Sequence, residues 1–189
     1  MASKSALRKE FLDKRNSLAR QTVVDKSDQI FQKLEKQDVL KSAKKILAYL
    51  PINNEVDTKQ LVDQLTVRQV AVFVPAFLKS TSTYKVARFT GYDDLEEGPY
   101  KVLQPKKLNV VDIGLVNVAI VPGVGFSKHG VRLGYGKGVY DQLLNNCSTL
   151  KIGLAYDFQV IDNIPRQKHD LVMDKVITES RIYVITYLL

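Results

Sequence analysis

The sequence predicts an α/β protein, a single compact domain over residues 1–189 with a largely parallel central sheet flanked by helices. Three observations predict it. Apolar, β-branched runs recur at ILAYL (46–50), AVFVP (71–75), VNVAIVPG (116–123) and KIGLAY (151–156), the continuous pattern of strands buried on both faces. Helical patterns separate several of these runs, and strands alternating with helices argue for a parallel sheet. With 189 residues, 45% of them hydrophobic and 25% charged, the chain has the size and composition to bury a core without disulfides.

Residues 3 to about 20 read as an amphipathic helix with Leu7, Phe11 and Leu18 on one face. Lys4, Arg8 and Arg15 form a basic row beside it: from Lys4, Arg8 lies about 40° and Arg15 about 20° round the helix, and Leu7 about 60° the other way. A basic row bordering a buried face is either a solvated flank or one wall of a site. A second helix is expected from about Val23 to Gln37, with Ile30, Phe31 and Leu34 inward, and the basic KSAKK leads into the strand ILAYL. PINNEVD is turn chemistry, and Asp57 followed by Gln60 resembles a capping box opening the helix TKQLVDQL. This strand, loop and helix start a βαβ unit.

AVFVP is the next buried strand, and TYKVARF (83–89) alternates as a half-exposed strand does. Residues 91–108, GYDDLEEGPYKVLQPKKL, have little periodicity and read as an extended surface loop. After VNVAIVPG comes GFSKHGVRLGYGKG, then VYDQLLNN as the first turns of a helix, the strand KIGLAY, and two short terminal strands in DKVITES and RIYVITYLL.

Composition removes several function classes. The single cysteine, Cys147, makes no internal disulfide, and with two distant histidines it forms no zinc cluster of the usual spacing. His129 and His169 receive no role. The opening MASKSALRKEFLDKR lacks the apolar stretch of a secretory signal, and no run approaches the ~18 apolar residues of a membrane span. A cytoplasmic address without membrane partners is expected. The net charge of +8 favours anionic ligands such as nucleotides, polyanionic small molecules or nucleic acid.

The segment RLGYGKGVYD (132–141) concentrates the chemistry. Gly134, Gly136 and Gly138 are spaced G-x-G-x-G, and position 139 is Val, so the dinucleotide fingerprint G-x-G-x-x-G fails. A Walker A loop fails too, because position 131 is Val and Gly138 follows Lys137 where Ser or Thr is required. The ingredients of a phosphate site remain: glycines let the backbone approach an anion, a following helix turns its N–H groups toward it, and Arg132 and Lys137 supply cations. Asp141 either complements the helix dipole or ligates Mg²⁺ beside bound phosphates. A structural glycine turn is the competing reading. The position after a buried strand favours a site, since ligands of open α/β sheets lie beyond the carboxyl ends of strands, which both PINNEVD and GFSKHG leave.

These residues carry a family resemblance. VPGVGFSKHGVRLGYGKGVYD resembles the signature of the 5-formyltetrahydrofolate cyclo-ligases, also called methenyltetrahydrofolate synthetases. The K-x-x-x-R of Lys4 and Arg8, the strand-loop YLPINNEVDT and the late HDLVMDKV are similar to that family in the same order. The resemblance implies a fold related to sugar-phosphate isomerases and CoA transferases, and an ATP- and Mg²⁺-dependent enzyme. Its reaction would convert 5-formyltetrahydrofolate into 5,10-methenyltetrahydrofolate with release of ADP and phosphate, whether or not the substrate is polyglutamylated being left open by the residue pattern.

By position the resemblance assigns Lys4, Arg8 and the segment Arg132, Leu133, Gly134, Tyr135, Gly136, Lys137, Gly138, Val139 and Tyr140 to ATP, with Arg132 and Lys137 catalytic. It assigns Leu50 and Glu55 to the folate and Asp141 with Asp170 to the metal, Asp174 being the competitor for the second carboxylate. Val139 and Ser127 depart from the family's common Tyr and Asp. Two rivals stand beside this reading. One is another enzyme of the same fold acting on a phosphorylated metabolite. The other is a basic nucleic-acid-binding module, suggested by Tyr84, Tyr92 and Tyr100 among Lys85, Arg88 and Lys101 but lacking any recognised module. Nothing in the residue pattern speaks to oligomeric state.

Overall fold

In the computed structural model, which describes residues 2–145, 147–168 and 170–186, the chain builds a mixed α/β fold around one large sheet. His169 lies outside the described residues. The first helix, α1 (Lys4–Asn16), starts on Ser3, whose hydroxyl accepts from Ala6 N at 3.2 Å. It stops at Ser17, short of the expected end near residue 20, and α2 (Arg20–Leu34) begins three residues earlier than Val23. The inward faces are those expected, Leu7 and Phe11 on α1 and Ile30, Phe31 and Leu34 on α2, whereas Leu18 lies beyond the end of α1. A short α3 (Asp38–Ser42) replaces part of the basic run before β1 (Lys45–Leu47), burying Leu40. Five residues are too few to print a helical period.

The next helix is α4 (Lys59–Val67), and its start corrects the expected capping box. Thr58 is the N-cap, with its hydroxyl donating to Tyr49 O at 2.5 Å, while the Asp57 carboxylate accepts from Lys59 N at 2.8 Å. The threonine is drawn to the strand end instead of the helix, so one hydroxyl ties segment 51–58 to β1.

The long β2 (Ala71–Leu78) turns back into β3 (Thr83–Arg88) in antiparallel register. Residues 91–108 are not an extended loop: β4 (Leu95–Glu97) and β5 (Leu103–Pro105) pair as a small hairpin, followed by β6 (Val110–Val111) on the sheet edge. The hairpin docks through Gln104, 4% exposed, whose Oε1 accepts from Phe77 N at 2.8 Å. Phe73 O accepts from Ala48 N, which puts Phe73, Pro75 and Phe77 on the β1 side of β2 for backbone bonding. β1 has ended by then, so Pro75 forfeits no ladder bond and Phe77 takes its partner from the hairpin.

The remaining elements are β7 (Val118–Pro122), β8 (Gly125–Ser127), β9 (Arg132–Leu133), α5 (Val139–Leu144), β10 (Leu150–Leu154), β11 (Val160–Ile161), β12 (Lys175–Ile177) and β13 (Ile182–Val184). The large sheet runs β13-β12-β10-β7-β1-β2-β3-β6. Its five inner strands from β12 to β2 are parallel, and antiparallel strands close both edges. A second, small sheet, β11-β8-β9, holds α1: Leu7 and Phe11 pack with Val124, Val131, Leu133 and Ile164 in a core of their own. That packing sets the angle at which α1 presents Lys4 and Arg8.

Candidate functional site

A cleft of about 480 Å³ opens at the carboxyl ends of β1 and β7, where Leu50 and Pro122 form its floor. This is the place the parallel topology favours, since strands ending side by side leave a crevice between their connections. α1 contributes Lys4 and Arg8, segment 51–58 contributes Glu55, and every residue from Arg132 to Asp141 lines the cleft as well. Asp170 stands on the rim. All residues the resemblance assigned to ATP, folate and metal, the competing Asp174 apart, therefore share one cavity, although they come from four separated stretches of chain.

The glycine segment is a bent cradle and not a regular strand or helix. Gly136 and Gly138 have φ of +89° and +68°, values that L side chains rarely adopt, and Gly138 is the left-handed residue from which α5 starts. Arg8 Nε donates to Gly134 O at 2.7 Å, so α1 holds the cradle directly. Helix α5 has only 6 residues, so its dipole is short and the cations carry most of the positive field.

Two acid–base pairs face the cavity. Lys4 Nζ lies 2.5 Å from Asp170 Oδ2, which also accepts from Gln167 N at 2.6 Å. Arg132 is 7% exposed, donates from Nε to Pro122 O at 2.7 Å, stacks over the Tyr140 ring at 4.9 Å, and sets Nη1 3.6 Å from Asp141 Oδ2. Burial lowers the proton affinity of its guanidinium, and Asp141 opposes that shift. Lys137 Nζ lies 5.2 Å from the centroid of the Tyr100 ring, joining the cradle to the hairpin.

Leu171 N donates to the other oxygen of Asp141 at 3.1 Å, so the strand of chain carrying Asp170 is bonded to Asp141. The pair offers hard oxygen donors beside a cation-rich wall, which suits Mg²⁺; that ion commonly takes one or two carboxylates and completes its shell with phosphates and water. Among the described residues no group of three or more His, Cys, Asp or Glu forms a cage by itself. Asp174 does not line the cleft: its Oδ2 accepts from Lys151 N at 2.7 Å and sits 3.8 Å from Lys151 Nζ, where it braces the start of β10. Ser127 Oγ accepts from the amides of His129 and Val131, closing a turn outside the cavity, and His129 is exposed.

Sequence reasoning passed over the roof and the back of this site. Tyr84, Tyr100, Val102 and Leu103 line the cleft from β3 and the hairpin, so two of the tyrosines that suggested a nucleic-acid surface belong to a cavity. Arg15, the third member of the basic row, is 1% exposed behind Glu55, with Nη1 3.9 Å from Glu55 Oε1. Glu55 is 5% exposed and accepts from Ile52 N at 3.1 Å. Burial pushes its carboxyl above the ordinary value, while Arg15 pulls the other way.

An α/β fold with a cation-lined cleft at the carboxyl ends of its parallel strands is an arrangement suited to an enzyme that acts on small molecules. Comparison with known proteins narrows the class: the 5-formyltetrahydrofolate cyclo-ligase family model matches residues 1–179. The chain belongs to the 5-formyltetrahydrofolate cyclo-ligase family and is an enzyme of that family. The 5-formyltetrahydrofolate cyclo-ligase of Mycoplasma pneumoniae is 30% identical over 94% of this chain and 99% of its own, and that of Mus musculus 26% identical over 95% of each. The solution structure of Aquifex aeolicus 5,10-methenyltetrahydrofolate synthetase superposes with a TM-score of 0.86 at 32% identity, over 97% of this chain and 93% of that one. Among the described residues no helix is long and apolar enough to cross a membrane.

Proposed function

We propose that the protein converts 5-formyltetrahydrofolate to 5,10-methenyltetrahydrofolate, consuming ATP with Mg²⁺ and releasing ADP and phosphate. One observation carries this reading: a single cleft is lined by the glycine cradle, Lys4, Arg8, Asp141 and Asp170 together with Leu50 and Glu55. ATP would lie along the cradle, with Lys4, Arg8 and Lys137 against its phosphates. The folate would lie over Leu50, with Glu55 accepting from adjacent N–H donors of its ring.

The N5-formyl oxygen then attacks the γ-phosphoryl group and ADP leaves. N10 adds to the activated formyl carbon and gives up its proton to solvent, and phosphate departs as the ring closes and the C–O bond breaks. Phosphorylation turns the formyl oxygen into a good leaving group. The protein's part is positioning and charge stabilisation: Lys137 and Arg132 face the charge that develops on the transferring group, and no side chain acts as nucleophile. Asp141 and Asp170 would hold Mg²⁺, whose chemistry is neutralisation of phosphate charge. No membrane or nucleic-acid partner enters this scheme.

The test is methenyltetrahydrofolate formation followed by absorbance, with ADP measured alongside. ADP appearing only when 5-formyltetrahydrofolate is present is the expected result. A folded chain that forms no product with both substrates and Mg²⁺ overturns the reading.

A further inference from the structure

Arg15 is the bulkiest of the fully buried side chains, and it sits on the last turn of α1 facing inward. Its guanidinium meets three different stretches of chain. Nε donates to Asn53 O at 2.9 Å in the segment that carries Glu55, and Nη1 donates to Gly123 O at 3.1 Å just after β7. Nη2 donates to the hydroxyl of Tyr135, in the middle of the glycine cradle, and Nη1 also faces Glu55. Asn54 completes the junction, its side-chain amide donating to the backbone carbonyls of Arg15 and Leu18 at 3.2 Å each.

A structural clamp needs no more than the backbone carbonyls. What exceeds that role is the pair of side-chain contacts, because Tyr135 of the glycine cradle and Glu55 of the 51–58 segment both line the cleft and also bond to each other, so that Arg15, Tyr135 and Glu55 form one network between the two segments. The planar fork of a guanidinium keeps its donors at fixed angles, so a shift of Tyr135 turns the face that Glu55 meets. The surroundings leave little slack: Asn53 and Asn54 adopt left-handed φ of 48° and 57°, and Gly123 O is also held by Gln159 Nε2 at 3.2 Å. Residues in contact within one buried network are the ones whose binding energies couple.

We infer that Arg15 is a positioning residue linking the two halves of the cleft, so that filling the glycine cradle orders the Glu55 segment for its own ligand. The inference rests on the function proposed above and adds to it an energetic dependence between the two substrate sites. Arg15 touches neither substrate; it acts through Tyr135 and Glu55. The other ionisable groups around Glu55 apart from Tyr135 have anchors independent of Arg15: Arg132 belongs to β9 and is bonded to Pro122 O, Tyr49 donates to Val56 O, and Tyr140 is packed in the core.

Calorimetric titration with a non-hydrolysable ATP analogue, with and without saturating 5-formyltetrahydrofolate, tests this. In the wild-type chain the analogue is expected to bind about fivefold tighter when the folate is present, the lower end of ordinary coupling between sites. Arg15→Lys keeps the charge and loses the fork, and it should bring that ratio close to one while each ligand still binds alone. A structural role by itself would weaken both ligands and leave the ratio unchanged. Tyr135→Phe, which removes the hydroxyl that meets both Arg15 and Glu55 and so breaks the same network, gives the same reading if Arg15→Lys does not fold. A wild-type ratio of one, or a ratio that survives in the variant, removes the coupling role and leaves the proposed function standing. If the wild-type chain binds neither ligand, both readings fall together.

Discussion

Lys4 Nζ donates to Asp170 Oδ2 at 2.5 Å, joining the first turn of α1 to a residue 166 positions later on the rim of the cleft. Both side chains line the cavity and are only partly exposed, 20% and 11%. Under the proposed function each group is promised to another partner, Lys4 to phosphate and Asp170 to Mg²⁺. Under that function the pair would neutralise both charges until the ligands arrive.

Replacing Lys4 should therefore act in opposite directions on the two ligands. In Lys4→Met, the KM for ATP is expected to rise about tenfold, the worth of one charge-assisted hydrogen bond. Titration of the ligand-free chain with Mg²⁺ should instead show about two- to fivefold tighter binding, because Asp170 loses a competitor worth no more than a partly exposed ion pair. Equal weakening of both would mean that Lys4 supports Asp170 and does not compete for it.

Asp141→Asn separates charge from scaffold. An asparagine Oδ1 can still accept from Leu171 N, which in the native chain donates to Asp141 at 3.1 Å, so the segment bearing Asp170 stays bonded. Only the negative charge is lost. Turnover should fall at least about tenfold, with the thermal midpoint little changed, and Lys137→Ala should fall by a similar factor, since each removes charge from the transferring phosphoryl group. Rates near wild type would take those two residues out of the catalytic set.

The parts of this molecule that sequence reading reached are those with a short-range signature. Strands such as Val118–Pro122 are buried on both faces and read as unbroken apolar runs, and Leu7 and Phe11 keep the helical period. The cradle was legible because glycine spacing and charge sit within ten consecutive residues. The small β11-β8-β9 sheet has strands of two or three residues, too short for any period, and the 91–108 hairpin is held by Gln104 reaching Phe77. Arg15 shows the limit most clearly. Its place in the basic row was visible, but its burial depends on Asn53, Gly123 and Tyr135 converging from three remote stretches, and no local pattern encodes that.

Gly134→Ala tests how tightly the cradle is built around Arg132. A Cβ at Gly134 would stand 2.7 Å from Arg132 Nη1, and this guanidinium has little room to yield, being held by Pro122 O and the Tyr140 ring. The substitution should displace the fork toward the cleft. Expected outcomes are a loss of stability of about 1–3 kcal/mol, the usual cost of overpacking, and a fall in kcat that exceeds any change in folate KM. Chemical denaturation and steady-state kinetics check the two effects separately. An alanine variant as active as wild type would show that Arg132 tolerates the shift.

Glu55 gives the chain a titration of its own. Burial raises its folded-state value above the ordinary 4.5, against the pull of Arg15. With the higher value in the folded state, the native chain holds more proton than the unfolded one between the two values, so the unfolding free energy falls as pH rises through that window. The stabilising contribution is complete below about 4.5 and is lost as pH passes the folded-state value. Glu55→Gln cannot titrate and lacks this slope. Denaturant midpoints measured for both proteins from pH 4.5 to 7.5 should show wild type losing stability relative to Glu55→Gln, by at most about 1.4 kcal/mol per pH unit for one proton. The difference between the two curves cancels every other carboxylate. A difference that grows in favour of wild type with rising pH would mean that Arg15 outweighs burial and holds Glu55 below its ordinary value.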